Sequence, residues 1–212
     1  MPSVPSSLRR VDDWREAVWR AVPEGAEPER FAERRAFLLE HVRAGDRVLD
    51  LGCGDGAFAA ALVQAGAAVT GVDVAAEAVR RARERAPQAA IEQVPEGDAL
   101  PLDEDAFDVV WAGEVLEHVA DVVGLLAEVR RVLRWGGTLL VTTPNLPRLA
   151  VALEALRGAP LEQRLDPRAD HLRFFTARTL AAVLQDAGFT DTSVRAHGGV
   201  RGAQRALSAV AR

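Results

Sequence analysis

The run Val48-Leu49-Asp50-Leu51-Gly52-Cys53-Gly54-Asp55-Gly56 constrains this 212-residue chain more than any other segment. A short apolar strand feeds a loop of alternating glycines, and a carboxylate, Asp50, stands just before the first of them. Glycine lets the backbone turn sharply without a Cβ clash and lets a bound ligand come within hydrogen-bonding distance of the main chain. Residues 57–64 then read as a helix whose first N–H groups face that ligand.

The glycines alone leave the ligand open, because Gly52 to Ala57 also satisfies the loose dinucleotide fingerprint GxGxxG/A. Asp50 narrows the choice. A carboxylate beside the loop is awkward for a pyrophosphate and suits a cationic ligand; S-adenosylmethionine, with an ammonium, a sulfonium and no phosphate, meets that requirement. A second apolar run, Val69 to Val72, ends at Asp73, where a strand-terminal acid can accept both ribose hydroxyls, as it would for NAD. A third acid, Asp98 in Glu96-Gly97-Asp98-Ala99-Leu100-Pro101-Leu102, lies between a third strand and a fourth, and a dinucleotide enzyme has no standing need for it.

From Gly45 the chain alternates strand and helix, with strands over 47–51, 68–73, 89–94, 107–112 and 138–143 and helices over 57–65, 75–85 and 121–133. That alternation predicts a parallel sheet with right-handed crossovers, and it places the acids and glycines at strand carboxyl ends. Thr176 is a good N-cap for a helix over 177–187 that Gly188 stops, and a short helix is expected over 148–157. Ahead of the first strand, Val11, Trp14, Val18 and Val22 recur at helical spacing, so residues 8–22 predict an amphipathic helix and residues 28–43 a second one. This extension either packs on the sheet or closes over the substrate; Trp14 and Trp19 are expected as core contacts.

In this order of motifs, from about Gly45 to the end, the chain resembles the class I S-adenosylmethionine-dependent methyltransferases. The resemblance implies a Rossmann-like class I methyltransferase fold, an α/β architecture with a central, mostly parallel seven-stranded sheet and helices on both faces. Its last two strands, 189–195 and 203–210, would form an antiparallel pair at the sheet edge. Residues 1–44 would be an N-terminal helical extension and 45–212 the cofactor-binding domain. The expected cofactor set is Asp50, Gly52, Cys53, Gly54, Asp73, Val74, Asp98, Ala99 and Glu114, with Asp98 accepting from the adenine amino group.

After the fourth strand, Gly113-Glu114-Val115-Leu116-Glu117-His118-Val119 spaces Glu114, Glu117 and His118 three and four residues apart. As one helical turn this would point all three side chains to one side, at the edge of the crevice. Together with His171 in Asp170-His171-Leu172-Arg173-Phe174-Phe175-Thr176, the string is similar to two branches of the family: the ubiquinone-biosynthesis O-methyltransferases and the small-RNA 3′-terminal 2′-O-methyltransferases. In the RNA branch the matching residues hold a divalent metal, which makes Glu114, Glu117, His118 and His171 candidate ligands of a divalent cation. Without a metal, His118 and Glu117 are the candidate catalytic residues, with His118 as base or orienting group. A structural role for the whole string is the third reading.

Composition removes other options. All 26 basic residues are arginine and there is no tyrosine, so neither lysine nor tyrosine is available as a general base. A net charge of −5 argues against a nucleic-acid acceptor, and the resemblance to the ubiquinone-type branch implies a small molecule methylated at oxygen. The RNA-type reaction and a non-catalytic cofactor-binding module are the alternatives. The single cysteine, Cys53, has no internal disulfide partner, and no apolar run reaches the ~20 residues of a membrane span. With an N-terminus unlike a signal peptide, a cytoplasmic protein is expected. The arginines at 80, 81, 83 and 85 and at 130, 131 and 134 alternate with glutamates and are expected on solvated helix faces.

Overall fold

The computed structural model describes residues 11–97, 99–156, 171–198 and 206–212. Asp98 lies outside these residues, as do 157–170, the centre of the segment after the fifth strand, and 203–205 at the start of the expected last strand. In chain order the helices are α1 (Val11–Ala21), α2 (Phe31–Leu39), α3 (Ala57–Gln64), α4 (Ala76–Arg85), α5 (Val122–Val132), α6 (Arg148–Leu156) and α7 (Ala177–Asp186). The strands are β1 (Arg47–Leu51), β2 (Ala68–Asp73), β3 (Ala90–Gln93), β4 (Phe107–Gly113), β5 (Leu133–Pro144), β6 (Thr192–His197) and β7 (Ala206–Ala211).

They form one seven-stranded sheet in the order β3-β2-β1-β4-β5-β7-β6. The first five strands in this order are parallel, and β7 runs antiparallel to both β5 and β6. The order reverses between β1 and β4, and a ligand crevice in an open α/β sheet opens at such a switch point.

Alternation along the strands sends side chains to two cores. Leu49 and Leu51 of β1, Val110 of β4 and Leu139 and Val141 of β5 pack against Leu126 of α5 and Leu180 and Leu184 of α7. Their neighbours Val48, Val109, Trp111 and Leu140 face the other way, onto Leu38 of α2, Leu62 of α3 and Val79 of α4. Asp50 occupies the strand position that follows this second face, and it is 1% exposed.

Several boundaries differ from those expected. β5 begins at Leu133, directly after α5, because the chain already pairs with Phe107 there and takes up the slack in a register shift before Val109. The glycines 136 and 137 thus lie inside β5 rather than opening it. β6 starts at Thr192 and not at 189, since Phe189 is buried and the N–H groups of Thr190 and Asp191 both turn to the Arg212 carbonyl. Thr176 caps α7 as expected, accepting from the Thr179 N–H in a reciprocal capping box.

The arginine-rich face of α4 is less solvated than the sequence implies. Arg80 pairs with Glu24, Glu77 and Glu84 in solvent, whereas Arg83 donates to the Ile91 carbonyl and Arg85 pairs with the buried Asp55 that caps α3. Among the described residues no helix is long and apolar enough to cross a membrane.

Candidate active site

At the carboxyl ends of β1, β2, β3 and β4 the chain encloses a cavity of about 580 Å³. Gly52, Asp73, Val74, Ala99 and Glu114 line it, five of the residues expected to hold a cofactor, and His118 lies on the same wall. The loop after β1 reaches it with bare backbone. At Gly52 (φ +70°) a Cβ would stand 2.7 Å from Cγ2 of Val115, so any side chain there would collide with the loop after β4. Asp73 is fixed from both sides: Oδ2 accepts from the Gly54 N–H at 3.0 Å and Oδ1 from the Ala75 N–H at 3.0 Å. Burial raises its pKa and these two amides counter the rise, leaving a rigid carboxylate with lone pairs to spare.

Asp50, Cys53 and Gly54 sit behind this wall. Asp50 Oδ2 has no partner among the described residues, and burial, with Asp73 next in weight, raises its carboxyl to about 7. Strand alternation turns Asp50 onto the sheet face covered by α2, α3 and α4, and it is not among the residues that line the cavity. Cys53 is buried, and burial pushes its thiol pKa up, so it fills space close to Gly71 rather than reacting.

The fourth wall corrects a second expectation. α1 lies over the cavity, with Trp14, Val18 and Trp19 lining it, so the two tryptophans face the crevice and not a core. Arg15 enters the same space, forked onto Glu96 through Nη2 at 2.8 Å and Nε at 3.2 Å, with Nη2 also donating to the His118 carbonyl at 2.9 Å. Sequence periodicity marked one face of this helix as buried but could not say against what.

Glu114, Glu117 and His118 do not share one helical turn. Glu114 has φ +60°, its N–H donates to the Thr142 carbonyl at 2.8 Å as a continuation of the sheet, and a 3₁₀ turn begins only at Leu116 and ends at His118. Glu114 thereby leans towards the buried Arg34, 3.9 Å from its guanidinium, and stays outside the cluster that the others form. Arg34, which sequence reasoning did not single out, stacks on Phe58 and donates to Thr142. Desolvation lowers its pKa, opposed first by the charge of Glu114.

Glu117, His118 and His171 converge, with one ligand atom from each within 4.8 Å of the others. Glu117 is 1% exposed; its Oε2 accepts from the Thr143 hydroxyl at 2.9 Å, while Oε1 has no hydrogen-bond partner among the described residues and stands 4.0 Å from His118 Nε2. Burial first, then the nearby Glu114 charge, pushes its carboxyl to about 8. The rings of His118 and His171 meet edge to face at 4.9 Å. His171 is held there by the turn itself, because the Glu117 carbonyl accepts the N–H groups of Leu172 at 2.7 Å and Arg173 at 3.0 Å.

Such a sheet, with its crevice at the switch point and a fixed acid at the end of β2, defines a Rossmann-like cofactor-binding protein. Residues 23–194 match the family described as Methyltransferase domain, and the chain belongs to that family. It is 37% identical over 150 residues to the ubiquinone biosynthesis O-methyltransferase of Xanthomonas oryzae pv. oryzae, across 68% of this chain. The match spans 62% of that relative's length. In fold, the protein is similar to a SAM dependent methyltransferase from Archaeoglobus fulgidus, with TM-score 0.68 at 16% identity over 95% of this chain and 99% of the other. Another from Aquifex aeolicus superposes with TM-score 0.62 at 17% identity, over 87% and 93% of the two chains.

Proposed function

We propose that the protein binds S-adenosylmethionine in the cavity and transfers its methyl group to a hydroxyl of a small molecule, with His118 taking the hydroxyl proton. The observation that carries this reading is that His118 lines the same cavity as Gly52 and Asp73, with the buried Glu117 carboxyl behind its ring. The cavity suits the cofactor: bare backbone at Gly52, a rigid acid at Asp73 for vicinal hydroxyls, and apolar walls at Val74, Ala99 and Val115 for a purine. Asp98, outside the described residues, is assigned to the adenine amino group by the resemblance alone. When bound, the cofactor supplies an electrophilic methyl; the chain's part is to hold the acceptor in line and remove one proton. The organisation that follows is a cofactor domain over 45–212 preceded by an N-terminal helical extension over 1–44, of which α1 covers the cavity. The name of the Xanthomonas relative supports an oxygen acceptor, and the net charge of −5 weighs against RNA.

A second feature of the site favours a cation. Glu117 Oε1 is buried without a partner and faces two imidazoles, a donor set that suits Zn²⁺ or Mn²⁺ better than Mg²⁺. Glu117, His118 and His171 would hold the ion, whose charge would lower the pKa of an acceptor hydroxyl. Glu114 is not needed as a ligand.

Turnover of S-adenosylmethionine to S-adenosylhomocysteine with a panel of phenolic and aliphatic hydroxyl acceptors tests the first reading. Binding without turnover on any acceptor would leave a cofactor-binding module, and turnover confined to RNA would replace the small-molecule acceptor. For the cation, calorimetric titration of chelator-treated protein with Zn²⁺ or Mn²⁺ is decisive. Tight binding that His171→Ala abolishes is expected; equal binding by parent and variant would remove the metal from the site.

A further inference from the structure

We propose that α1 is a lid whose apolar face takes the loaded cofactor cavity as its core, and that Arg15 latches it across the mouth. The proposal rests on the cofactor reading above and adds to it a moving part. An amphipathic helix has to bury its apolar stripe against something. Among the described side chains of α1, none joins either hydrophobic core; Trp14, Val18 and Trp19 lie over the cavity instead. Ligand surface would therefore supply most of what this stripe packs on.

The remaining attachments of α1 are polar and partly buried. Glu16 Oε2 accepts the Glu77 N–H at the start of α4, Arg81 reaches over to the Val22 carbonyl just beyond α1, and Arg15 forks onto Glu96. None of these is an apolar contact, and elements with few buried apolar contacts are the first to open.

The contacts also fall in a telling place. Trp19 rests on the main chain of the glycine loop, where a Cβ on Gly54 would stand 2.7 Å from its ring. Arg15 joins the loop after β3, through Glu96, to the turn after β4, through the His118 carbonyl. One helix therefore touches the loops that flank the cavity on three strands, and its Arg15 grips the turn that presents the imidazole. Filling the cavity gives the apolar stripe a partner and holds the fork and that turn in place, so Arg15 is a positioning residue for His118.

Hydrogen exchange followed by mass spectrometry, on the full chain with and without S-adenosylhomocysteine, tests this. The expected result is that ligand slows exchange in residues 14–22 and 115–119 as well as in the glycine loop. In Arg15→Ala, the glycine loop should still gain protection, while 14–22 and 115–119 should lose roughly tenfold of theirs, the size of one charged hydrogen bond. Glu96→Gln, which keeps the side chain but weakens the fork, should move the same two segments in the same direction by less. Binding that protects the glycine loop but leaves 14–22 unchanged would overturn the lid alone. Failure of the parent to bind S-adenosylhomocysteine by calorimetry would overturn the cofactor reading, and the lid with it.

Discussion

The loops that leave β1 and β4 stand side by side at the carboxyl end of the sheet, yet they present polarity in opposite ways. The first offers backbone. Its glycines remove side chains, and the neighbouring acid, Asp73, is fixed by two amides before any ligand arrives, with lone pairs left to accept. The second offers buried side chains. Glu117 is sealed in with one oxygen unpaired, and two imidazoles close over it. A satisfied, rigid surface suits binding, because nothing has to rearrange when the ligand lands. Asp50 at the end of β1 is a buried acid too, but only on the β4 side does such a group stand beside an imidazole in the cavity wall, and that pairing marks the side where chemistry is expected.

The largest test of this contrast is on the β4 side. If His118 takes the proton, His118→Ala should lower kcat by roughly 10²–10⁴-fold while leaving S-adenosylhomocysteine affinity within a few fold. A variant that loses affinity and keeps kcat would show the two loops to be equally binding surfaces.

The β1 side carries its own buried acid, and its signature is thermodynamic rather than catalytic. Asp50 holds its proton more tightly folded than unfolded, up to about 7 against an ordinary 3.8. Its contribution to stability is thus fully present below pH ~4 and is lost as pH rises through about 7, a change of at most about 4 kcal/mol. Asp50→Asn should flatten the fall in unfolding free energy between those limits, measured by urea titration. An unchanged slope would mean that Asp50 is ionised in the folded protein and that the β1 loop rests on a charge.

Below these in size comes the ligand side of the same loop. Asp73→Ala removes a charged hydrogen-bond acceptor worth about 1.5–3 kcal/mol, so cofactor affinity should fall by roughly ten- to a hundredfold in calorimetry. Loss of kcat at saturating cofactor, with affinity intact, would move Asp73 from binding to chemistry and blur the division between the loops.

The two loops were also unequally legible in the sequence. The β1 loop announces itself because glycine spacing, the apolar run before it and the acid ending β2 are all local signals, and the same locality made the alternation of strands and helices and most element boundaries readable. The β4 loop is shaped by tertiary pairing. Nothing in Gly113-Glu114-Val115 signals a left-handed residue, and the spacing of Glu114, Glu117 and His118 imitates a helix; the Thr142 carbonyl decides otherwise by holding the Glu114 N–H in the sheet. Arg34 and Thr143 were invisible for a similar reason, since each acts across more than 20 residues of chain. Periodicity gave α1 a buried face without naming its partner, and Trp14 and Trp19 were assigned to a core that the helix does not have.

The smallest effect probes how the β4 side tolerates its buried acid. The Thr143 hydroxyl donates to Glu117 Oε2 at 2.9 Å, and both groups are buried. Thr143→Val keeps the shape and removes the donor, so Glu117 is left with both oxygens short of partners and unfolding free energy should fall by about 1 kcal/mol. In a Glu117→Leu background the sign should change, because the hydroxyl is then itself the orphan and replacing both partners with apolar groups is close to neutral or stabilising. Urea unfolding of the four proteins, with chelator present so that no cation contributes, closes the cycle. An equal cost of Thr143→Val in both backgrounds would mean that the hydroxyl stabilises β5 by packing alone. Glu117 would then be held by its turn, and the β4 loop, like its neighbour, would owe its order to backbone.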